Sequence, residues 1–432
     1  MLAGSVTSYT RPLIFTFICM VSSLVAAVSA HAQMRSAAPA IESNRVLRVG
    51  PLEELRVPSA AAAVARDGDR IEIAAGEYSG DVAAWNANNL HIIGVRGRPH
   101  LRAAGNNSGG KALWVIRGQN VIVENIEISG VTVADKNGAA IRHEGRNLTL
   151  RRVYFHHNEN GLLTKSDKFN DVLIEHSEFA WNGYGDGYSH NIYVGSIRSL
   201  TVRFSYLHHA IKGHNLKSRA KKNRITYNRI MDEYEGESSY LIDLPFGGEA
   251  IILGNSLHQG RSSVNGRMIA YGAENIMPSR NNELYVVHNT LVNARRAGGT
   301  FVWLKGRDVK SVMANNLFYG RGKRAQGVME LRDNRKAGRA DMPGRRDFDY
   351  RLGIAAAGEN EAVEVVTTSG EVLNPEWIYR HRLRATKRRI DESPDLGAYE
   401  YEPLVIYGRD LPSPIADEES SAPAGNAEGG PR

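Results

Sequence analysis

The middle of the chain alternates apolar and polar positions in short bursts that recur at a nearly fixed interval. The recurring unit is apolar-x-x-(small or Asn)-x-apolar. Its middle position is Ile126, Val153, Ser177, Ser205, Asn228, Asn255, Asn289 and Asn316, and successive copies lie 27, 24, 28, 23, 27, 34 and 27 residues apart. A second burst precedes most of these by about a dozen residues and is centred on Ile141, Leu163, Ile192, Leu216, Ile242, Ile269 and Val302. Bursts this short, bounded by turn residues, predict strands and not helices. Two strands per period, neither able to bury its apolar face alone, predict a parallel β-solenoid with one coil per period. The column Ser177, Ser205, Asn228, Asn255, Asn289, Asn316 then stacks at one turn, where buried amides bond each other and the backbone. Those residues are expected to be structural.

The ends of the repeat carry further patterning. Ser59-Ala-Ala-Ala-Ala-Val64 reads as a short amphipathic helix, and Gly68-Asp-Arg-Ile-Glu-Ile-Ala-Ala-Gly-Glu-Tyr78 as a turn and first strand. Together with coils such as Asn120-Val-Ile-Val-Glu-Asn-Ile126, this resembles the pectin-lyase-like right-handed parallel β-helix superfamily. Asp395-Leu-Gly-Ala-Tyr-Glu-Tyr401 resembles the closing strand of many bacterial members. The resemblance implies an all-β, single-domain right-handed parallel β-helix over residues 50–402 with an N-terminal capping helix. Residues 320–351 hold ten Lys/Arg against five Asp/Glu and no clear coil pattern, so they read as an irregular basic insert. From Pro403 the composition turns to Pro, Ser, Ala, Gly and acid, a C-terminal tail expected to be disordered from about 411.

Composition narrows the compartment and the partner. The 432 residues are 42% hydrophobic, enough for a sizeable core. Residues 1–32 carry one charge, Arg11, then the apolar run Leu13–Val28 and small-residue sites ending at Ala30 and Ala32. That order is a secretory signal peptide, followed by a linker over 33–49. The single cysteine, Cys19, falls inside it, which excludes a disulfide scaffold and a Cys-based metal site. The expected product is a secreted or periplasmic bacterial monomer with no membrane segment after leader removal. The net charge of +7 favours a polyanionic partner, read here as an acidic polysaccharide and not nucleic acid.

Candidate chemistry concentrates in three adjacent coils: Asp186-Gly-Tyr-Ser-His-Asn-Ile-Tyr193, Gly213-His-Asn-Leu-Lys-Ser-Arg219 and Ser238-Ser-Tyr-Leu-Ile-Asp243. Aligning their apolar centres puts Asn191, Asn215 and Leu241 in one outward column. Tyr193, Lys217 and Asp243 form the next, with Arg142 and Thr164 further along it, and Arg219 falls on the same face by alternation. His190 and His214 stand where the chain enters these strands. β-Elimination on a uronate needs a donor or cation on the carboxylate, a base for the C5 proton and an acid for the leaving oxygen at C4. Lys217 suits the base, Arg219 the carboxylate fork, and Tyr193, His190 or His214 the acid or base. Asn191, Asn215, Arg142, Tyr271 and Trp303 read as substrate contacts. Equally, Lys217 and Asp243 read as a surface ion pair worth about 0–1 kcal/mol. A His190, His214, Asp243 metal site has no recognised spacing behind it, and His156-His157 and His208-His209 read as turn chemistry.

Leu216-Lys217-Ser218 with Asn223 resembles the Lys-Ser-x-x-Asn signature of polysaccharide lyase family six, the chondroitinase B and alginate lyase family. The resemblance implies Lys217 as base. The family's acid, an arginine one coil later, meets Leu241-Ile-Asp243-Leu-Pro245 here, and the spacing to Asn223 is two residues longer. Many members hold calcium with two glutamates just before the lysine strand, where this chain has His214 and Asn215. No metal or cofactor is therefore expected. The reading is a secreted lyase of an acidic polysaccharide. A glycoside hydrolase using Asp186, Asp232 and Asp243 is an alternative, although the polygalacturonase-like Asp-Asp pair is not visible. A uronate epimerase, without its Asp-Pro-His-Asp motif, and a non-catalytic glycan-binding surface protein are the others.

Overall fold

A computed structural model describes residues 45–402; the expected leader with Cys19, the expected linker before residue 45 and the expected tail from 403 lie outside them. Among the described residues the chain winds three strands per coil into three parallel sheets of 12, 10 and 11 strands. One coil runs Ile192–Val194 in the ten-stranded sheet, Ile197–Arg203 in the twelve-stranded sheet and Tyr206–His208 in the eleven-stranded sheet. Below these are the groove sheet, the long sheet and the third sheet. Each pairs in register with the coil before and after, as in Leu162↔Ile192↔Leu216↔Ile242↔Ile269. That inward column is fully buried and alternation sends its neighbours outward. The fold is an all-β parallel β-solenoid.

The corner between the long and third sheets is the polar ladder the repeat implied. Ser177 N donates to Ser205 Oγ at 3.2 Å, Ser205 N to Asn228 Oδ1 at 3.0 Å, and Asn228 N to Asn255 Oδ1 at 2.9 Å. The chain of bonds continues through Asn289 and Asn316 to Asn334. The residue before each ladder position turns the corner in the left-handed region, for example Phe204 (φ 56), Tyr227 (φ 56) and His288 (φ 54). At Gly254 (φ 67) the glycine also makes room, since a Cβ would meet the Tyr227 ring at 2.6 Å.

The structure departs from the sequence expectations at the C-terminal end of the solenoid. Residues 323–336, expected within an irregular insert, complete one more coil: Lys323–Gln326, Glu330–Arg332 and Arg335–Lys336 each extend a sheet. A last coil buries one side only, so its apolar pattern thins to Ala325 and Met329 and the periodicity fades. The coils therefore end at Lys336 and not near 402. Asp395–Tyr401 forms no strand; Gly397 N donates to Asn315 O and Ala398 N to Thr290 Oγ1, pinning the segment across two coils. The stretch 337–402 packs outside the solenoid. Met342, Tyr350 and Leu396 cover the third sheet at Tyr206 and Met231, and Val365 and Leu373 cover the long sheet at Ile251 and Tyr285. Its own hub is the buried Arg388, bonded to Glu400 and to the carbonyls of Gly397 (3.0 Å) and Asp395 (2.8 Å). At the other end a seven-residue helix, Pro58–Val64, packs Ala61 into the core. Among the described residues no helix is long and apolar enough to cross a membrane.

Candidate active site

The outer face of the groove sheet carries a groove of about 690 Å3 lined by Arg142, His190, Tyr193, Lys217, Arg219 and Glu274 among others. Alternation builds it: in Leu216–Ser218 the flanking Leu216 and Ser218 are fully buried and Lys217 points out. The pairing Arg142↔Leu163↔Tyr193↔Lys217↔Asp243 makes one outward column. Leu163 stands where Thr164 was expected, because Leu162 is the inward residue; Thr164 Oγ1 instead accepts from Gly195 N at 2.9 Å.

Glu274 is the residue the sequence did not single out. It sits in the loop after the strand Arg267–Tyr271, which folds back so that Glu274 N and Asn275 N donate to Pro245 O. Its carboxylate takes Arg219 through Nη2 at 2.7 Å and Nε at 3.3 Å, and Lys217 Nζ at 2.8 Å. Burial pushes that carboxyl up, but the bonds from Arg219 and Lys217 outweigh it and hold it below the usual range. The signal for this loop was in the sequence: the 34-residue period is the longest of the series.

With that loop beside it, Asp243 is only 2% exposed, so Lys217 and Asp243 are not the exposed surface pair the sequence also allowed. Asp243 Oδ2 lies 3.8 Å from Lys217 Nζ and 3.5 Å from His214 Nε2, and its Oδ1 has no hydrogen-bond partner. Burial pushes its carboxyl up to about 7, with Lys217 pulling down and Glu274 pushing up. Arg219 also lies over the rings of Tyr193 (5.0 Å) and Phe246 (4.9 Å), and its carbonyl is held by Arg280. Ser218 Oγ accepts from Ala220 N and Asn223 Nδ2 donates to Ala220 O, so both residues of the lysine motif brace the turn that presents Arg219.

His190 and His214 stack face to face, 4.6 Å apart at 8°. His190 Nδ1 accepts from His214 N (3.0 Å), and His214 Nδ1 from Tyr240 N (3.2 Å). Each neutral ring therefore carries its proton on Nε2, which for His214 faces Asp243. Burial holds both rings neutral, with His214, Lys217 and Arg219 adding to the effect on His190; His214 is pushed down to about 3, by burial and then by Lys217.

Three expected substrate contacts lie elsewhere. Asn191 and Asn215 are fully buried, not outward: Asn182 Nδ2 donates to Asn191 Oδ1, Asn191 Nδ2 to Asn215 Oδ1 at 2.7 Å, and Asn215 Nδ2 to Asp232. They form a second internal ladder, at the corner where the chain re-enters the groove sheet. Tyr271 is buried too, because alternation puts it on the face of Ile269; its hydroxyl donates to Gly248 O at 2.6 Å. Trp303 does point outward, two coils beyond Asp243, with the Arg267 guanidinium 3.8 Å over its ring. Arg142 lines the groove, its Nε 3.9 Å from Glu144 and without a hydrogen bond.

The donors around Lys217 do not fit calcium, which takes six to eight oxygen ligands. His214 and Asn215 offer no carboxylate there, Glu274 is held by Arg219 and Lys217, and Asp243 leaves a single open oxygen, Oδ1. Among the described residues the one cluster of metal-ligand type is His100, Glu127 and His156 on the third sheet, with ligand atoms within 4.8 Å of one another.

Comparison with solved structures bears on this architecture. A pectate lyase, Pel9A, superposes with a TM-score of 0.55 at 14% identity, covering 84% of this chain and 98% of that one. The chain has the pectin-lyase-like parallel β-helix fold. A variant of the PL6 family alginate lyase AlyGC is more distant, with a TM-score of 0.32 at 15% identity over 76% of this chain and 55% of that one. No protein-family model and no curated protein matches the sequence. The parallel β-helix thus places a groove on one sheet, and its chemistry rests on the side chains described above.

Proposed function

We propose that this chain is a polysaccharide lyase that cleaves an acidic, uronate-containing polysaccharide by β-elimination in the groove beside Lys217. The observation that carries the reading is Glu274, a carboxylate gripped at once by the Arg219 fork and the Lys217 amine. A uronate carboxylate entering the groove takes over the Arg219 fork, with Arg142 along the same column, and leaves the Lys217 amine beside it as the base. Neutralised there, it renders the C5 proton acidic. Lys217 takes that proton, the C4–C5 double bond forms, and the C4–O4 bond breaks. Tyr193, whose ring lies 5.7 Å from Lys217 Nζ and 5.0 Å from the Arg219 guanidinium, gives its phenolic proton to the leaving oxygen. Asp243 accepts the proton that the Lys217 ammonium sheds before it acts as base. The buried His190–His214 stack fixes the floor, with His214 Nε2–H directed at Asp243.

Pel9A, similar in fold, is a pectate lyase by its own name, which fits the reaction class. Among the hydrolase candidates Asp232 is fully buried and bonded to Ser238 and Ser263, so it stands outside the groove. The reading takes the chain as exported through residues 1–32 and acting as a monomer without a cofactor, and takes the helix Pro58–Val64 as the cap of the first coil. Mass spectrometry of products from defined acidic oligosaccharides tests it. Elimination gives two fragments whose masses sum to the substrate. Fragments summing to one water more overturn it in favour of hydrolysis, and an unchanged mass with inverted C5 favours epimerisation.

A further inference from the structure

A second cleft, of about 560 Å3, opens at the third sheet, under the segment 345–350 and away from the groove sheet. Its volume falls within the roughly 300–1,000 Å3 of small-ligand sites. Six arginines line it: Arg261, Arg295, Arg296, Arg321, Arg345 and Arg346. Its acid is Glu233, whose carboxylate is already taken by the Tyr206 hydroxyl and by Arg229 at 3.3 Å. Among the described residues none of the six arginines forms an ion pair. Gathering that many cations without counter-charges costs free energy through mutual repulsion, and an anion in the cleft relieves it.

The cleft is built and not merely lined. His258↔Val292↔Tyr319 place three consecutive coils side by side, and Arg261, Arg295 with Arg296, and Arg321 follow just beyond those strand ends. Arg295 is fixed by bonds to the carbonyls of Gly298 and Ser263, and Arg345 by Tyr319 Oη at 3.2 Å and Arg339 O at 3.1 Å. Neither set of partners neutralises a guanidinium. The ring of Phe348 adds an apolar wall, 4.6 Å from Tyr234 and 5.3 Å from His258. His258 is 3% exposed, lines the cleft, and has no hydrogen-bond partner at Nδ1. Guanidinium forks with an aromatic wall recognise carboxylate or sulfate groups set on rings.

We propose that this arginine cleft is a second binding site for an acidic oligosaccharide segment, carrying carboxylates or sulfates, that holds the polymer on a different face from the groove. The inference rests on the functional reading only in taking the anion to be borne by a glycan. The test uses the full chain carrying Lys217→Ala, so that no probe is consumed. Fluorescein-labelled oligogalacturonate and fluorescein-labelled dextran sulfate are titrated by fluorescence anisotropy at several salt concentrations, which separates the carboxylate and sulfate arms. Replacing the four exposed cleft residues, Arg261, Arg296, Arg321 and Arg346, with Gln is expected to weaken binding of at least one probe about tenfold or more. It also flattens the salt dependence. A control with Arg66, Arg307, Lys310 and Arg389, all exposed and outside the cleft, replaced by Gln is expected to change binding less than about twofold. Unchanged binding in the cleft variant, or an equal loss in the control, overturns the proposal. Elimination by the wild type with cleft binding unaffected sinks this inference alone. Arginine-dependent binding without any elimination sinks the lyase reading alone.

Discussion

Two columns of ionisable side chains climb this solenoid, one on the third sheet and one on the groove sheet, and only the first repeats itself. On the third sheet His156 Nε2 meets Glu127 at 3.1 Å and its Nδ1 meets His157 at 2.7 Å. Two coils on, His208 Nε2 meets Glu178 at 3.1 Å and its Nδ1 meets His209 at 2.7 Å. The Trp181 ring stacks on His209 at 4.2 Å and on His157 at 6.3 Å, tying the two pairs together. On the groove sheet Tyr193, Lys217 and Asp243 occupy the same register with three different chemistries. A solenoid solves its corner and its outer faces by the same device in coil after coil. Polar chemistry that recurs in the period is therefore part of the coil, and chemistry that breaks the period serves something else.

The largest expected effect follows from Lys217→Ala, which removes the base from the non-repeating column. The rate of enoyl product formation falls by about a thousandfold or more, while the thermal midpoint moves by no more than a few degrees. An active variant would break the comparison outright. His208→Ala, in the repeating column, is expected to show the opposite. It takes one of two partners from a Glu178 that is only 2% exposed and keeps Arg382, and it costs about 1 kcal/mol in denaturant unfolding. Its turnover at a temperature well below the midpoint stays near wild type.

The buried Asp243 gives a pH test. Its carboxyl is raised to about 7, above its unfolded value, so the folded state holds an extra proton between about pH 4 and 7. Wild-type stability therefore falls as pH rises through that window, by at most about 1.4 kcal/mol per pH unit. Asp243→Asn removes this slope, and the difference in thermal midpoint between the two proteins grows in favour of the variant as pH rises. A difference that stays flat across the window would place Asp243 with the repeating, structural set. The smallest effect is expected from Glu274→Gln. Freed of the internal carboxylate, Arg219 binds the substrate carboxylate better, and KM drops a few-fold with kcat little changed. A collapse of kcat instead would make Glu274 a participant and not a placeholder.

Much of the fold was legible because the ladder recurs: Asn228, Asn255, Asn289 and Asn316, each in the same short apolar motif, are enough to announce the corner. The pairing of Tyr193, Lys217 and Asp243 was legible for the same reason, since strands in register carry columns. Errors of one residue were costly, because a single step flips a side chain across the sheet. Reading Leu163 and not Leu162 as the inward residue put Thr164 in the column, and counting Tyr271 outward ignored its parity with Ile269. Asn191 and Asn215 escaped because they line a corner and not a strand face, where alternation gives no guidance. Glu274 escaped because it belongs to a loop, whose path over Asp243 is set by contacts with Pro245 and Phe246 and by no period at all.

The central claim, that the groove performs β-elimination on an acidic polymer, is tested most directly by following enoyl absorbance. The purified protein is mixed in turn with pectate, alginate, glucuronan and glycosaminoglycans. The account predicts a steady rise with at least one of them, and no rise when Lys217→Ala replaces the wild type. New reducing ends without any enoyl absorbance would contradict it.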